Sequence, residues 1–169
     1  MKDKFKKISK GFTLIELVIV VAVLGIISTI VMTSINPMAQ FQKANDGRIK
    51  SDLAQLQRVL ESYYEDVGRY PASPDYEIQT IADPSTGNAW GDPWSPYMDF
   101  LPKSPGYPNR TYVYYSPDGQ TYYLYANLER GTIDPKACNG GNRCDNAPAD
   151  ANCGGTGCNY GVSSPNVNP

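Results

Sequence analysis

No histidine occurs anywhere in this chain. That absence removes histidine general bases, histidine metal ligands and every triad built around an imidazole. Cysteine is missing until position 138, and all four, Cys138, Cys144, Cys153 and Cys158, fall in the final stretch. Long apolar runs are scarce as well. There is one, near the N-terminus, and most of the sequence after Pro37 is polar, tyrosine-rich and punctuated by glycine and proline. The negative mean hydropathy agrees, and excludes a protein that crosses a membrane many times. Basic residues are thin outside the first eleven positions. That leader carries Lys2, Lys4, Lys6, Lys7 and Lys10 against Asp3, whereas the remainder has ten basic and sixteen acidic side chains, a net of −6. Nonspecific phosphate attraction does not hold such a body, so no direct nucleic-acid partner is expected. No phosphate loop, nucleophile–base pair or metal cluster stands out either, and the chain does not read as an enzyme.

The one apolar run sits in SKGFTLIELVIVVAVLGIISTIV, where Leu17 to Ile27 contains no polar side chain. From Phe12 to Ile35, at about 1.5 Å per residue, a helix would be about 36 Å long, enough to cross a bilayer core. Lysines on its N-terminal flank place that end in the cytoplasm and the body outside. An ordinary signal peptide has the same outline. Against it, no small-x-small cleavage site follows the run, and helical character continues past it. Glu16 is the anomaly. A lone carboxylate in hydrocarbon costs several kcal/mol unless it finds a partner or reaches the headgroups.

Beyond Asn36–Pro37 the apolar pattern resumes. Ile49, Leu53, Leu56, Leu60, Tyr63 and Val67 recur at helical steps, forming one stripe. Arg48, Lys50, Asp52, Arg58, Glu61 and Glu65 occupy the other faces, with Arg48–Asp52 and Asp46–Lys50 at pairing distance along the helix. Gly68 and Pro71 supply a stop. The spacing predicts one helix over about 12–67, with an apolar half at 12–36 and an amphipathic half at 37–67. Pro37 lacks an N–H, so a kink or melted turn is expected between Gly25 and Pro37.

Residues 68–131 read as a globular head. The part from 71 to 109 is expected to be a mostly irregular loop pinned by Trp90, Trp94, Tyr97 and Phe100. A hairpin follows, RTYVYYS and QTYYLYANLE around Pro117-Asp118-Gly119. One face should pack on the helix stripe and leave several tyrosines exposed. Residues 132–169 form little core and need disulfides or neighbouring subunits for order. The four cysteines allow three pairings, and a zinc site is the competing reading although paired CxxC knuckles are lacking. The formal sequon Asn109-Arg110-Thr111 carries no weight.

The order Lys10-Gly11-Phe12-Thr13-Leu14-Ile15-Glu16, then an apolar span, then an amphipathic helix, resembles the family of type IV pilins and type II secretion pseudopilins. The match is specific over Lys10–Ile27 and extends along the helix to Val67. The resemblance implies an α+β, type IV pilin-like fold: a long N-terminal helix, a small antiparallel sheet and a disulfide-stapled C-terminal loop region. It implies that a prepilin peptidase removes residues 1–11 by cutting between Gly11 and Phe12, and N-methylates Phe12. It also implies that Glu16 pairs with the Phe12 α-amino group of its own or an adjacent subunit, setting docking and register. Further copies of the chain, an inner-membrane assembly platform with a cytoplasmic ATPase, and the membrane itself before assembly are the implied partners. No cofactor is needed. Many secretion pseudopilins bind calcium beyond the sheet, which makes Asp134, Asp145 and Asp150 weak ligand candidates. The four cysteines depart from that pattern and could replace metal as the staple.

The segments GRYP, FLPKSPGYP and the hairpin resemble a major-pseudopilin head. The cysteine-rich tail and expected exposed tyrosines suit a surface that meets the outside. The leading expectation is therefore the structural subunit of an extracellular type IV pilus. The alternative is the major pseudopilin of a type II secretion system, whose short filament acts as a piston. A competence pilus is a third variant, disfavoured by the net charge. A secreted binding module with an ordinary signal peptide is the reading from another class, and it predicts a cut beyond Ile35.

Overall fold

A computed structural model describes residues 11–34, 36–155 and 157–169, with side chains left aside over 30–34. The expected leader thus lies outside the described residues, Gly11 excepted. The chain divides into two units, one ending at Ala39 and the other running Gln40–Pro169.

The first unit holds α1 (Leu14–Ser34) and the opening of α2 (Pro37–Val67). α1 is apolar around its circumference, so no single face can be buried on a domain core. Its side chains stand open accordingly, from Leu14 (80% exposed) and Ile15 (61%) to Ile27 (51%). Ser28 and Thr29 donate their hydroxyls back to the carbonyls of Leu24 and Ile26, both at 2.7 Å, which satisfies them inside an apolar helix. Among the described residues no helix is long and apolar enough to cross a membrane; the described side chains of α1 end at Thr29.

The helix expected over 12–67 is divided. α1 continues through Gly25 without a break, and the interruption falls between Ser34 and Pro37. Proline here begins a helix. The Asn36 side-chain oxygen accepts the Ala39 N–H at 3.2 Å, capping α2, and Pro37 occupies the first helical position, where a missing N–H costs nothing.

In the second unit the predicted stripe is the core. Ile49, Leu53, Leu56, Leu60 and Tyr63 are buried, while Val67 drops out at 47% exposed. A three-stranded antiparallel sheet packs on it, in the order β3 (Val113–Tyr115), β4 (Tyr123–Ala126), β5 (Tyr160–Ser163). Leu124 is opposite Tyr114 on one side and Val162 on the other. The hairpin turn follows its sequence: the Asp118 carboxylate accepts the N–H groups of Gln120 (2.8 Å) and Thr121 (2.9 Å), and Gly119 takes φ +70°.

The segment 71–109 is mostly irregular, as expected, with one short ladder in which β1 (Ile78–Gln79) pairs with β2 (Gly87–Asn88). Trp90 and Trp94 do pin it, Trp94 by stacking on Tyr63 at 5.4 Å and donating its indole N–H to the Gln79 carbonyl at 3.0 Å. Three other expectations need correction. Phe100, 66% exposed, does not pin anything. The tail also does more than staple: it supplies β5, and it covers the outer face of the sheet. Val113 and Tyr125 are buried there with Cys144, Ala147, Ala151, Cys153 and Cys158 in a second cluster. As a result the tyrosines are not left exposed; Tyr107 alone is. Cys138 pairs with Cys144 and Cys153 with Cys158, which leaves no thiolate for zinc.

Asp46 extends the buried stripe by one helical step and is only 4% exposed. It does not pair with Lys50 as the spacing suggested. Its two carboxylate oxygens accept the N–H groups of Glu129 (2.8 Å) and Arg130 (3.1 Å), fastening the chain beyond β4 to α2. Asp46→Ala orphans both donors, and a urea titration is expected to read a loss of about 3 kcal/mol. A loss below about 1 kcal/mol would mean that water replaces the carboxylate at no cost.

Candidate functional site

Gly11, Phe12 and Thr13 precede α1, and the local sequence explains how they are held. Thr13-Leu14-Ile15-Glu16 is a capping box, threonine at the cap and glutamate three residues on. The Thr13 N–H and hydroxyl donate to Glu16 Oε2 at 2.9 and 2.7 Å, and the Glu16 N–H returns a bond to Thr13 Oγ1 at 3.3 Å. The carboxylate is thereby fixed at the positive end of the α1 dipole. Among the described residues only Oε2 is engaged, so Oε1 keeps its lone pairs for a cation. Glu16 and Phe12 are four residues apart in sequence, and the carboxylate is held on Thr13, the residue after Phe12.

Gly11 is exposed, and a Cβ built on it meets nothing within 4 Å. Packing among the described residues therefore does not demand glycine there. Thr13 was missed by sequence reasoning, although the T-x-x-E pattern just ahead of an apolar run is a readable signal.

The calcium candidates are not brought together. Asp134 is ion-paired with Lys50; partial burial opposes ionisation, but the Lys50 ammonium and the Lys136 N–H hold its carboxyl below the ordinary value. Asp145 accepts the Asn139 amide at 2.8 Å, and Asp150 accepts the Tyr76 hydroxyl, which keeps its carboxyl low. Among the described residues no group of three or more histidine, cysteine or acidic side chains could hold a metal ion.

Carboxylates in the head are instead matched to tyrosine hydroxyls. Asp52 accepts from Tyr112 at 2.7 Å, and Glu61 accepts from Tyr70 at 3.0 Å and Tyr122 at 3.1 Å. Burial first, and the neighbouring carboxylate second, push these phenols well above their ordinary value. Such pairs tie α2 to the strands with no proton to give away at neutral pH. They are structural contacts, not acid–base machinery.

Comparison with known proteins places both halves of the chain. The prokaryotic N-terminal methylation motif matches residues 6–32, and the family described as type II secretion system (T2SS), protein G matches residues 36–133. Type II secretion system core protein G of Klebsiella pneumoniae is 29% identical over 126 residues, covering 74% of this chain and 80% of that protein. The core protein G of Pseudomonas aeruginosa is 30% identical over 133 residues, 75% of this chain and 90% of that protein. The type IV major pilin protein PilA of Myxococcus xanthus is 32% identical over 90 residues, but these cover 53% of this chain and 38% of that protein. No solved structure matches.

Proposed function

We propose, from the premise that this chain belongs to the type II secretion system protein G family, that it is a major pseudopilin, the repeating subunit of a short filament that drives protein export. The single observation that carries this is the protein G match across α2 and the head, in sequence behind a methylation motif. The expectation of an extracellular type IV pilus gives way to its alternative. That expectation leaned on several exposed tyrosines, whereas all but Tyr107 are buried or half-buried, and the pilin relative covers the smaller share of both chains.

In this role residues 1–11 are a leader, 12–36 anchor the subunit in the membrane before assembly and line the filament afterwards, and the head from 68 to 131 remains outside with the cysteine-rich region from 132 to 169. A helix exposed and apolar on every side needs such a cover, first lipid and then other copies of α1. Self-assembly, processing by a prepilin peptidase, and docking on an inner-membrane platform with its ATPase follow from the family.

Deleting the gene tests the role. Export of the cell's secreted enzymes should stop, and the proteins should be retained within the envelope. Normal export together with loss of a surface filament would return the assignment to a pilin, the reading that the Myxococcus relative favours. Processing is tested separately. Gly11 is exposed ahead of α1, so Gly11→Trp should leave the head folded and accumulate the uncut precursor, visible as a heavier band. A normally processed Gly11→Trp would move the cleavage site elsewhere.

A further inference from the structure

The charges on the head are segregated, and in α2 they run against the helix. Its last turn carries Glu65 and Asp66 with no base, and its first turn carries no acid. The macrodipole favours the opposite order, so this placement does nothing for the isolated subunit. Both acids are exposed, beside the exposed Val67. Asp66 accepts the Tyr97 hydroxyl, a neutral donor that leaves its charge uncompensated, and Glu65 has no partner among the described residues.

Near the start of α2 lies the complement. A cavity of 260 Å³ is lined by Lys43, Lys50, Arg130, Ile133, Asp134 and Pro135. Lys50 and Asp134 neutralise each other across its wall, and the Asp46 carboxylate, also in the wall, is met by two backbone N–H groups. The side chains of Lys43 and Arg130 form no ion pair among the described residues, in a body whose net charge is negative. Ile133, 65% exposed, stands beside them. With Lys50 and Asp134 paired, Lys43 and Arg130 outweigh the Asp46 carboxylate and leave the wall net positive beside one open aliphatic side chain; the other patch carries two exposed acids beside one open aliphatic side chain.

We propose that this cavity is the docking site for the acidic end of α2 in a second copy of the chain, with Lys43 and Arg130 receiving Glu65 and Asp66 of that copy. The two patches are 22 residues apart along one helix, about 33 Å, so a single subunit cannot join them to each other. Complementary patches at opposite ends of one axis make a heterologous contact that propagates instead of closing. Charge pairing at such a contact fixes register and excludes wrong neighbours, while the apolar packing of α1 supplies the bulk of the attraction. This assignment rests on the filament role above and names which surfaces of the heads meet.

The test is charge exchange in the full chain, in cells that assemble it, with filament yield as the readout. Lys43→Glu with Arg130→Glu should lower the yield by about tenfold or more, since like charges then face each other. Glu65→Lys with Asp66→Lys should do the same. The four substitutions together should recover the yield to within about threefold of the parent. Each variant is checked for a cut N-terminus and two disulfides, so a misfolded subunit is recognised. Either pair leaving the yield unchanged, or the fourfold variant failing to recover while correctly disulfide-bonded, would overturn the docking site and leave the filament role standing. No filament from the parent chain would remove that role, and the docking site with it.

Discussion

Glu16→Ala is expected to give a processed, membrane-inserted subunit that assembles poorly, and Glu16→Gln is expected to fail almost as badly. The pair of variants separates two things that this carboxylate does. As the distal half of a capping box it satisfies the N–H and hydroxyl of Thr13, a contribution of about 1 kcal/mol to the start of α1. Glutamine keeps most of that, because an amide oxygen also closes a capping box. If Glu16 pairs with the Phe12 amine in the filament, what glutamine cannot supply is the negative charge at Oε1 for that pairing. A carboxylate in hydrocarbon costs about 3 kcal/mol, and a cationic partner supplied by assembly offsets much of it. The charge therefore favours the assembled state, and removing it should lower filament yield by more than tenfold, about 1.4 kcal/mol or more. Thr13→Ala is the control: it loses the cap, keeps the charge, and should assemble nearly normally. Parental yield from Glu16→Gln would reduce Glu16 to a helix cap.

Raising the pH above about 10 is expected to unfold the head steeply. Tyr112, Tyr114, Tyr122 and Tyr125 are all buried. Burial is the largest cause holding each phenol above its ordinary value; Asp52 adds to it at Tyr112, Glu61 at Tyr122 and Tyr123 at Tyr125. Tyr114 donates to the Pro71 carbonyl at 2.8 Å, and the Tyr125 hydroxyl is buried with no partner among the described residues. Since the folded values are raised, the stabilisation is complete below the ordinary tyrosine value near 10 and is lost as the pH climbs towards the folded values. Above 10 the unfolded chain releases protons that the native one keeps. Each such group removes about 1.4 kcal/mol per pH unit, so the four together remove about 5 kcal/mol per unit. Tyrosinate absorbance and circular dichroism should change together in one cooperative step. Gradual ionisation near 10 with the fold intact would show that these phenols reach water.

The parts of this fold legible in the sequence are those encoded locally. Steps of three and four from Ile49 to Tyr63 located the buried face of α2, and Asp118-Gly119 located the hairpin. The N-terminal order around Gly11, Phe12 and Glu16 pointed to the family without any structure. What was misread depends on context. Pro37 looked like a lesion in one long helix, yet with Asn36 ahead of it the same residue opens a second. β5 is four residues long with Gly161 inside it, too short and too weak in strand formers to stand out. That glycine is needed because a Cβ there would sit 2.8 Å from the Tyr125 ring. The covered outer face of the sheet did leave a trace. Val113-Tyr114-Tyr115 and Tyr123-Leu124-Tyr125-Ala126 carry no polar alternation, the pattern of strands buried on both faces. The docking partners of Asp46 are 83 and 84 residues away in sequence, and no spacing rule could find them.

The measurement that bears most directly on the central claim, that this chain is a processed filament subunit, is mass spectrometry of the N-terminal peptide of subunits recovered from pelleted filaments of cells expressing the secretion system at high level. The account predicts a peptide that starts at Phe12 and carries one methyl group on its α-amine. A peptide that starts beyond Ile35, or filaments without this chain, would contradict it.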